Sequence, residues 1–559
     1  MMLPRCFVTV LLMSSVLYIG GETSSEVLGP VVSTEAGSFQ GMELTTHGER
    51  VIYAFLGIPY AKPPTGLLRF KKPQPADFIQ GTYKATEKPP SCFQLDSDLQ
   101  LPWADPDSPM KEDCLFLNLW TPASLSTEEE ELKSVMVWIH GGGYTSGSSA
   151  LDVYDGQTLS SSGDVVVVTM NYRLDAFGFL NSLTEDAPGN MALYDQLLAL
   201  QWVHTNIKYF GGDPNKVTLF GESVGAFATS FLALSPLTKG LFQKIMLESG
   251  SAYNKLTVNS IDQAKNNNQL ATLVGCANET FTLISNPEEV VACMREVAPA
   301  KFTQTYYKEL GSEREKINFI FWPHFGDDIL PTRTAELIKE KNLTALFAGV
   351  NSVEGSALSV FFFPEVYQMF VESNLTLTKA YATILMNEFF KVFNFQDSAK
   401  AIEFYLGDVE DDDEEGIRSA LFGVVGDYII TCPTIYLADK YSERGANVQF
   451  YRFDRRPSTS QWPPEWMGAA HNDEIQFVFG MPVRYPEKYT EEERTLSEYM
   501  TRTWTNFVKS EDLKLKNGSQ WPSYSLSEPQ FATLQTNEQI IGSGQRKAEC
   551  DFWRPYFDI

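Results

Sequence analysis

One segment, Lys216–Phe231 (KVTLFGESVGAFATSF), constrains the fold of this chain more than any other. Val217–Phe220 reads as a short apolar strand, Gly221-Glu222-Ser223-Val224-Gly225 as a tight turn, and Ala226–Phe231 as a helix. This is a G-x-S-x-G elbow in the strand–turn–helix setting that the motif requires. The turn forces Ser223 onto a strained tip, and the flanking glycines leave room where a Cβ would strike strand or helix. Such a turn presents one hydroxyl beside a helix N-terminus, which tolerates negative charge.

The surrounding pattern alternates strands with helices. Val135–Ile139 and Val165–Met170 are continuous apolar runs, as strands buried on both faces should be. Asn190–Tyr209 carries Leu193, Leu197, Leu200 and Ile207 at helical spacing. Ser38–Glu43, Val51–Gly57, Ile245–Leu247, Leu346–Val350 and Val448–Phe453 are further strand candidates. The expected fold is α/β: one large, mostly parallel sheet with helices on both faces, in a single domain. No fixed-period repeat or long linker interrupts the chain. The acidic run Asp408–Glu415 reads as an exposed loop or helix start.

The chain's 559 residues, 43% of them hydrophobic, are ample for a large core. A net charge of −27 argues against a nucleic-acid partner. Residues 1–21 read as a signal peptide, with Arg5 before the short apolar run Phe7–Tyr18, leaving 22–559 as the exported domain. No later stretch is a continuous apolar run long enough to argue for a membrane anchor. Beyond Cys6, six cysteines remain, and an even count in an exported chain implies disulfides. Fifteen connectivities are possible; spacing suggests Cys92–Cys114 and Cys276–Cys293, with Cys432–Cys550 tying back the C-terminus. Sequons at Asn278, Asn342, Asn374 and Asn517 fit glycosylation of an exported surface. No Cys/His cluster has zinc spacing, so neither metal nor cofactor is expected.

A serine hydroxyl needs a base, most often histidine. The five histidines are His47, His140, His204, His324 and His471. The order Ser, acid, His leaves His324 and His471. His471 is favoured because it follows the Val448–Phe453 strand within GAAHNDE, whose small residues let a loop approach the elbow. Glu354, just past the Leu346–Val350 strand, is the preferred acid; Asp327 and Asp328 compete on sequence alone. The oxyanion needs preorganised N–H donors. His140-Gly141-Gly142-Gly143 is the loop type that supplies one side, and the Val224 N–H supplies the other.

These residues sit among longer motifs: EDCLFLNLW (112–120), GGGYTSGSSALDVYDG (141–156), NYRLDAFGFL (171–180), FGGDPNKVTLFGES (210–223), GVNSVEGS (349–356) and WPPEWMGAAHNDEIQFVFG (462–480). From about residue 27 to its end, the chain resembles the carboxylesterase type B family and, within it, the cholinesterases. The resemblance implies an α/β-hydrolase around a deep gorge. It implies a triad of Ser223, Glu354 and His471, with oxyanion donors Gly142, Gly143 and Val224. It matches the three suggested disulfides, and it identifies Glu222 as the acidic neighbour of the nucleophile. Trp103 is similar to the tryptophan that stacks a choline ammonium, and Phe319 to an acyl-pocket aromatic.

Several positions depart from the family. Ala357 stands where an aromatic completes the choline cage, Leu256 where a tryptophan follows LESGS, and Ile317 where a second acyl-pocket phenylalanine is usual. Val224 replaces an alanine, and the Cys92–Cys114 loop is shorter than in cholinesterases. Ile559 follows Cys550 by nine residues, without the tail that tetramerises cholinesterases. The expected activity is therefore a secreted serine carboxylic ester hydrolase with a broadened pocket for a small-molecule ester. The alternatives are a true cholinesterase acting on acetylcholine and a non-catalytic binding or scavenger protein.

Overall fold

The computed structural model describes residues 27–94, 108–123, 125, 128, 131–305, 321–340, 345–363, 377–462 and 464–559. Its spine is a 13-stranded sheet. In chain order the strands are β1 (Leu28–Thr34), β2 (Gly37–Thr45), β3 (Val51–Pro59), β4 (Ile79–Lys84) and β5 (Phe116–Pro122). Then come β6 (Lys133–Ile139), β7 (Val166–Met170), β8 (Gly212–Glu222) and β9 (Lys244–Glu248). The last four are β10 (Ala345–Asn351), β11 (Val448–Phe453), β12 (Gln530–Leu534) and β13 (Ile541–Ser543). Their spatial order is β1-β2-β3-β5-β7-β6-β8-β9-β10-β11-β12-β13, with β4 beside β2. The central run from β7 to β12 is parallel throughout, and antiparallel pairs flank it at both ends.

Burial explains why the central strands read as unbroken apolar runs. Along β6, Val135, Val137 and Ile139 face one core while Met136 and Trp138 face another. A period of two with apolar residues on both faces leaves no polar position to mark the alternation. Helices α1 (Met191–Asn206) and α2 (Val224–Leu234) cover the first face. Helices α3 (Glu354–Phe362), α4 (Glu414–Gly426), α5 (Cys432–Glu443) and α6 (Glu491–Ser510) follow in the chain. Helix α6 covers the second face with Leu496, Met500, Trp504 and Phe507. A π-helical segment, Asp427–Thr431, joins α4 to α5. The resulting Glu414–Glu443 helix is long and apolar enough to cross a membrane, but it is buried inside the fold.

The acidic run ends where α4 begins, and Asp413 caps that helix through the Gly416 N–H. All three expected disulfides are formed, Cys92–Cys114, Cys276–Cys293 and Cys432–Cys550. They close loops of very different length, with sequence separations of 22, 17 and 118. If constraint of the unfolded chain dominates, losing Cys432–Cys550 by paired serine substitution costs about 5 kcal/mol, and losing Cys276–Cys293 about 3. Denaturant unfolding of the two double variants checks this. Equal losses would assign the effect to local native packing instead.

Candidate active site

Strand β8 ends at Glu222 and α2 begins at Val224, so Ser223 alone makes the turn. Its backbone has φ 56° and ψ −126°, a conformation that costs free energy for any residue with a side chain. The sheet holds it there: the Ser223 N–H donates to Glu248 O at 2.9 Å, and Ser223 O accepts from the Phe227 N–H at 3.0 Å. A Cβ on Gly225 would collide with Ile139 O, and one on Gly221 would sit 2.6 Å from the Gly225 backbone. Only glycine lets strand, turn and helix pack this closely. The elbow leaves Ser223 partly exposed between buried Glu222 and Val224.

Glu354 opens α3 directly beyond the end of β10. The loop carrying His471 reaches it by pairing with the same strand end. The Val353 N–H donates to Ala469 O at 3.0 Å, and Asn351 Nδ2 donates to Ala470 O at 2.7 Å. Ala469 and Ala470 are buried, so small side chains do permit the approach. The outcome is a 2.6 Å contact between Glu354 Oε2 and His471 Nδ1, with both residues at most 3% exposed. Glu354 Oε1 accepts from Ser249 Oγ and from the Asn351 N–H, each at 2.6 Å. A buried carboxylate held this way has its lone pairs satisfied and its direction fixed.

The far nitrogen of the ring, His471 Nε2, is buried without a hydrogen-bond partner. It stands 3.1 Å from Glu222 Oε1, also unpartnered, out of line for a hydrogen bond. Burial opposes charging the imidazole, but Glu222 and then Glu354 outweigh it and hold the ring up at about 9. Burial, helped by Glu474 and Glu354, pushes Glu222 well above the ordinary carboxyl range, with His471 pulling the other way. Glu474 is pushed up to about 7 by burial and by the Glu354 charge. Ring and carboxyls therefore share protons: an ionised Glu222 raises the ring, and a protonated one releases it.

The glycine loop follows β6. Gly142 and Gly143 have φ of 105° and 65°, in the left-handed region that favours glycine. The Gly142 carbonyl accepts from the N–H groups of Thr145 and Ser146 at 3.1 and 3.0 Å, which fixes the turn. Among the described residues, neither Gly142 nor Gly143 donates its own N–H to a protein acceptor. Val224 is the first residue of α2, where an N–H has no intrahelical acceptor. A Cβ on Gly141 would lie 3.1 Å from Ser223 Cβ, so this loop rests on the elbow.

The competing candidates lie elsewhere. The His324 ring faces the carbonyls of Pro188 and Phe325 at 3.2 and 3.4 Å. Asp327 accepts from Asn190 Nδ2 and the Leu330 N–H, as a polar turn does, and Asp328 is exposed. Two residues that sequence reasoning missed belong to the site: Ser249, and Glu474, which accepts from Asn351 Nδ2 at 2.5 Å. The position of Ser249 directly after β9, beside the elbow strand, was the available signal. Ala357 is fully buried, and Leu256 packs half-buried against the main core. Trp103, Ile317, Phe319, Asn342 and Asn374 lie outside the described residues.

The family model described as "Carboxylesterase family" matches residues 29–553. The chain belongs to the carboxylesterase family. It is accordingly a serine carboxylic ester hydrolase with the α/β-hydrolase fold. A cholinesterase from Mus musculus is 37% identical over 541 residues, spanning 94% of this carboxylesterase chain and 87% of the relative. An acetylcholinesterase from Bungarus fasciatus is 36% identical over 541 residues, spanning 94% and 86%.

Glu222→Gln removes the largest influence raising the ring, so the His471 titration moves down by about one unit. Imidazole NMR across the pH range measures this directly. An unmoved titration would mean that Glu222 carries a proton throughout.

Proposed function

We propose that Ser223, Glu354 and His471 are the catalytic triad of this hydrolase. The observation that carries the reading is the 2.6 Å Glu354–His471 contact, with Nε2 left unpartnered beside the elbow. Glu354 holds the Nδ1 proton and stabilises the imidazolium. Nε2 accepts the Ser223 proton as Oγ attacks the ester carbonyl. The oxyanion settles on the N–H groups of Gly142, Gly143 and Val224; among the described residues the two glycines donate to no protein acceptor. The imidazolium returns its proton to the leaving alcohol. Water then attacks the acyl-enzyme by the same route, releasing a carboxylic acid and restoring Ser223.

The substrate is a small ester, and we read the acyl and alcohol pockets as wider than those of a choline-ester specialist. Ala357 and Leu256 support this, since each is smaller than the aromatic that the family resemblance leads one to expect. Trp103 and Phe319 are assigned to ligand stacking and the acyl pocket, and Glu222 to the gorge beside the nucleophile. Export after removal of residues 1–21 is supported by the three disulfides and by the exposed sequon asparagines Asn278 and Asn517, with Asn342 and Asn374 as further acceptors.

Ser223→Ala is expected to abolish turnover of a chromogenic short-chain ester while leaving thermal unfolding intact. Glu354→Gln should lower kcat by on the order of 10⁴, because the ring loses its anion and its fixed tautomer. Retained turnover in either variant removes that residue from the triad. Acetylthiocholine compared with an uncharged thioester of equal acyl length tests the pocket: the uncharged ester should match or exceed it in kcat/KM. A choline ester ahead by more than about tenfold, roughly 1.4 kcal/mol, contradicts the wide-pocket reading.

A further inference from the structure

In the mechanism above three N–H groups meet the oxyanion. Each belongs to a peptide unit whose carbonyl is carried by the preceding residue: Gly141 for the Gly142 N–H, Gly142 for Gly143, and Ser223 for Val224. All three carbonyls are hydrogen-bonded from behind. Gly141 O faces His140 Nδ1 at 2.9 Å. A carbonyl only accepts, so that nitrogen carries the proton. Burial pushes the His140 ring down to about 4, which leaves it neutral with a single N–H near pH 7. Ser223 O accepts from the Phe227 N–H at 3.0 Å.

Gly142 O is the most heavily engaged of the three. Besides the N–H groups of Thr145 and Ser146, it accepts from Ser146 Oγ at 3.0 Å and from Thr145 Oγ1 at 3.2 Å. The two N–H groups alone close the turn, and they already match the two lone pairs of a carbonyl. The hydroxyls are therefore surplus to the turn. Ser146 is buried and Thr145 half-buried, and among the described residues neither hydroxyl has another hydrogen-bond partner. A Cβ on Gly142 would lie 3.0 Å from Ser146 Oγ, so that hydroxyl packs directly against the peptide it bonds. A carbonyl that accepts a hydrogen bond draws electron density along its amide, and the N–H at the other end becomes a stronger donor.

We propose that Thr145 and Ser146 are positioning residues for the oxyanion: their hydroxyls aim and polarise the Gly142–Gly143 peptide, so that the Gly143 N–H donates more strongly than the turn alone would allow. The inference rests on the oxyanion assignment above. Its effect is felt where negative charge develops on the ester oxygen, so it enters kcat and leaves KM alone. Removing a whole oxyanion donor costs about 10²–10³ in kcat, and one hydrogen bond strengthens the next by about 10–30%. Losing one hydroxyl should therefore cost about two- to eightfold.

Thr145→Val and Ser146→Ala each remove one hydroxyl and leave both backbone N–H groups in place. The paired variant should lose about tenfold in kcat at constant KM. Thr145→Ser, which keeps the hydroxyl, should hold the parent kcat, and circular dichroism confirms that each variant folds. A trifluoromethyl ketone is the second probe. Ser223 Oγ bonds to its carbonyl carbon, the serine proton passes to His471, and the carbonyl oxygen becomes the oxyanion. Its inhibition constant should rise by the same factor as kcat falls, with the adduct followed by fluorine NMR. An unchanged kcat in the paired variant, a loss confined to KM, or a loss that Thr145→Ser shares overturns the proposal. An adduct held equally by every variant overturns it as well and leaves the Ser223 reading standing. No adduct on the unsubstituted enzyme would overturn that reading, and this proposal with it.

Discussion

The 2.6 Å contact between Glu354 and His471 is the interaction on which the rest of the site depends. Both partners are buried, and an ion pair taken out of water is stable only when its remaining hydrogen-bonding capacity is met. The fold meets it from three directions. Ser249 Oγ comes from the end of β9, the Asn351 N–H from the end of β10, and Asn351 Nδ2 ties down the His471 loop through Ala470 O. All of these lie at the carboxyl ends of parallel strands, where the elbow after β8 also lies. A parallel sheet thus does one thing for this chemistry: it brings several chain segments, distant in sequence, to one edge.

Around that pair the protein concentrates carboxyls. Glu222, Glu248 and Glu474 are all buried and all pushed up, chiefly by desolvation. Glu248 spends one oxygen on Trp504 Nε1 at 2.7 Å, which joins the elbow strand's neighbour to the helix on the opposite face. Such groups are costly unless they hold protons, and holding protons is what makes them useful. Their ionisation sets how strongly the neighbouring imidazole holds its proton. Because the medium around them is water-poor, each change of ionisation is felt strongly by the next group.

Much of this was legible in the sequence. Most central strands announced themselves as apolar runs, and Val448–Phe453 coincides with β11, whereas β12, Gln530–Leu534, is marked by no such run. The elbow was visible because its glycines have no substitute. The polar start of β8, Gly212–Lys216, was not visible as strand, since it pairs with β6 only across a register shift. Helix α1 stops at Asn206 rather than Tyr209, because the chain tightens into a 3₁₀ turn before Gly211 at φ 81°. Ser249 was hidden for a different reason. It sits at φ 56°, and no motif marks a non-glycine residue held there by its neighbours. Glu354 was preferred over Asp327 and Asp328 by its place after a strand, and the contact with His471 follows from that place.

The most direct measurement is the rate at which an organophosphate labels the enzyme, with the adduct located by peptide mass spectrometry. The account predicts one adduct per chain, on the peptide containing Ser223, with a rate that collapses in His471→Ala. An adduct on another residue, or an unchanged rate without the imidazole, would contradict it.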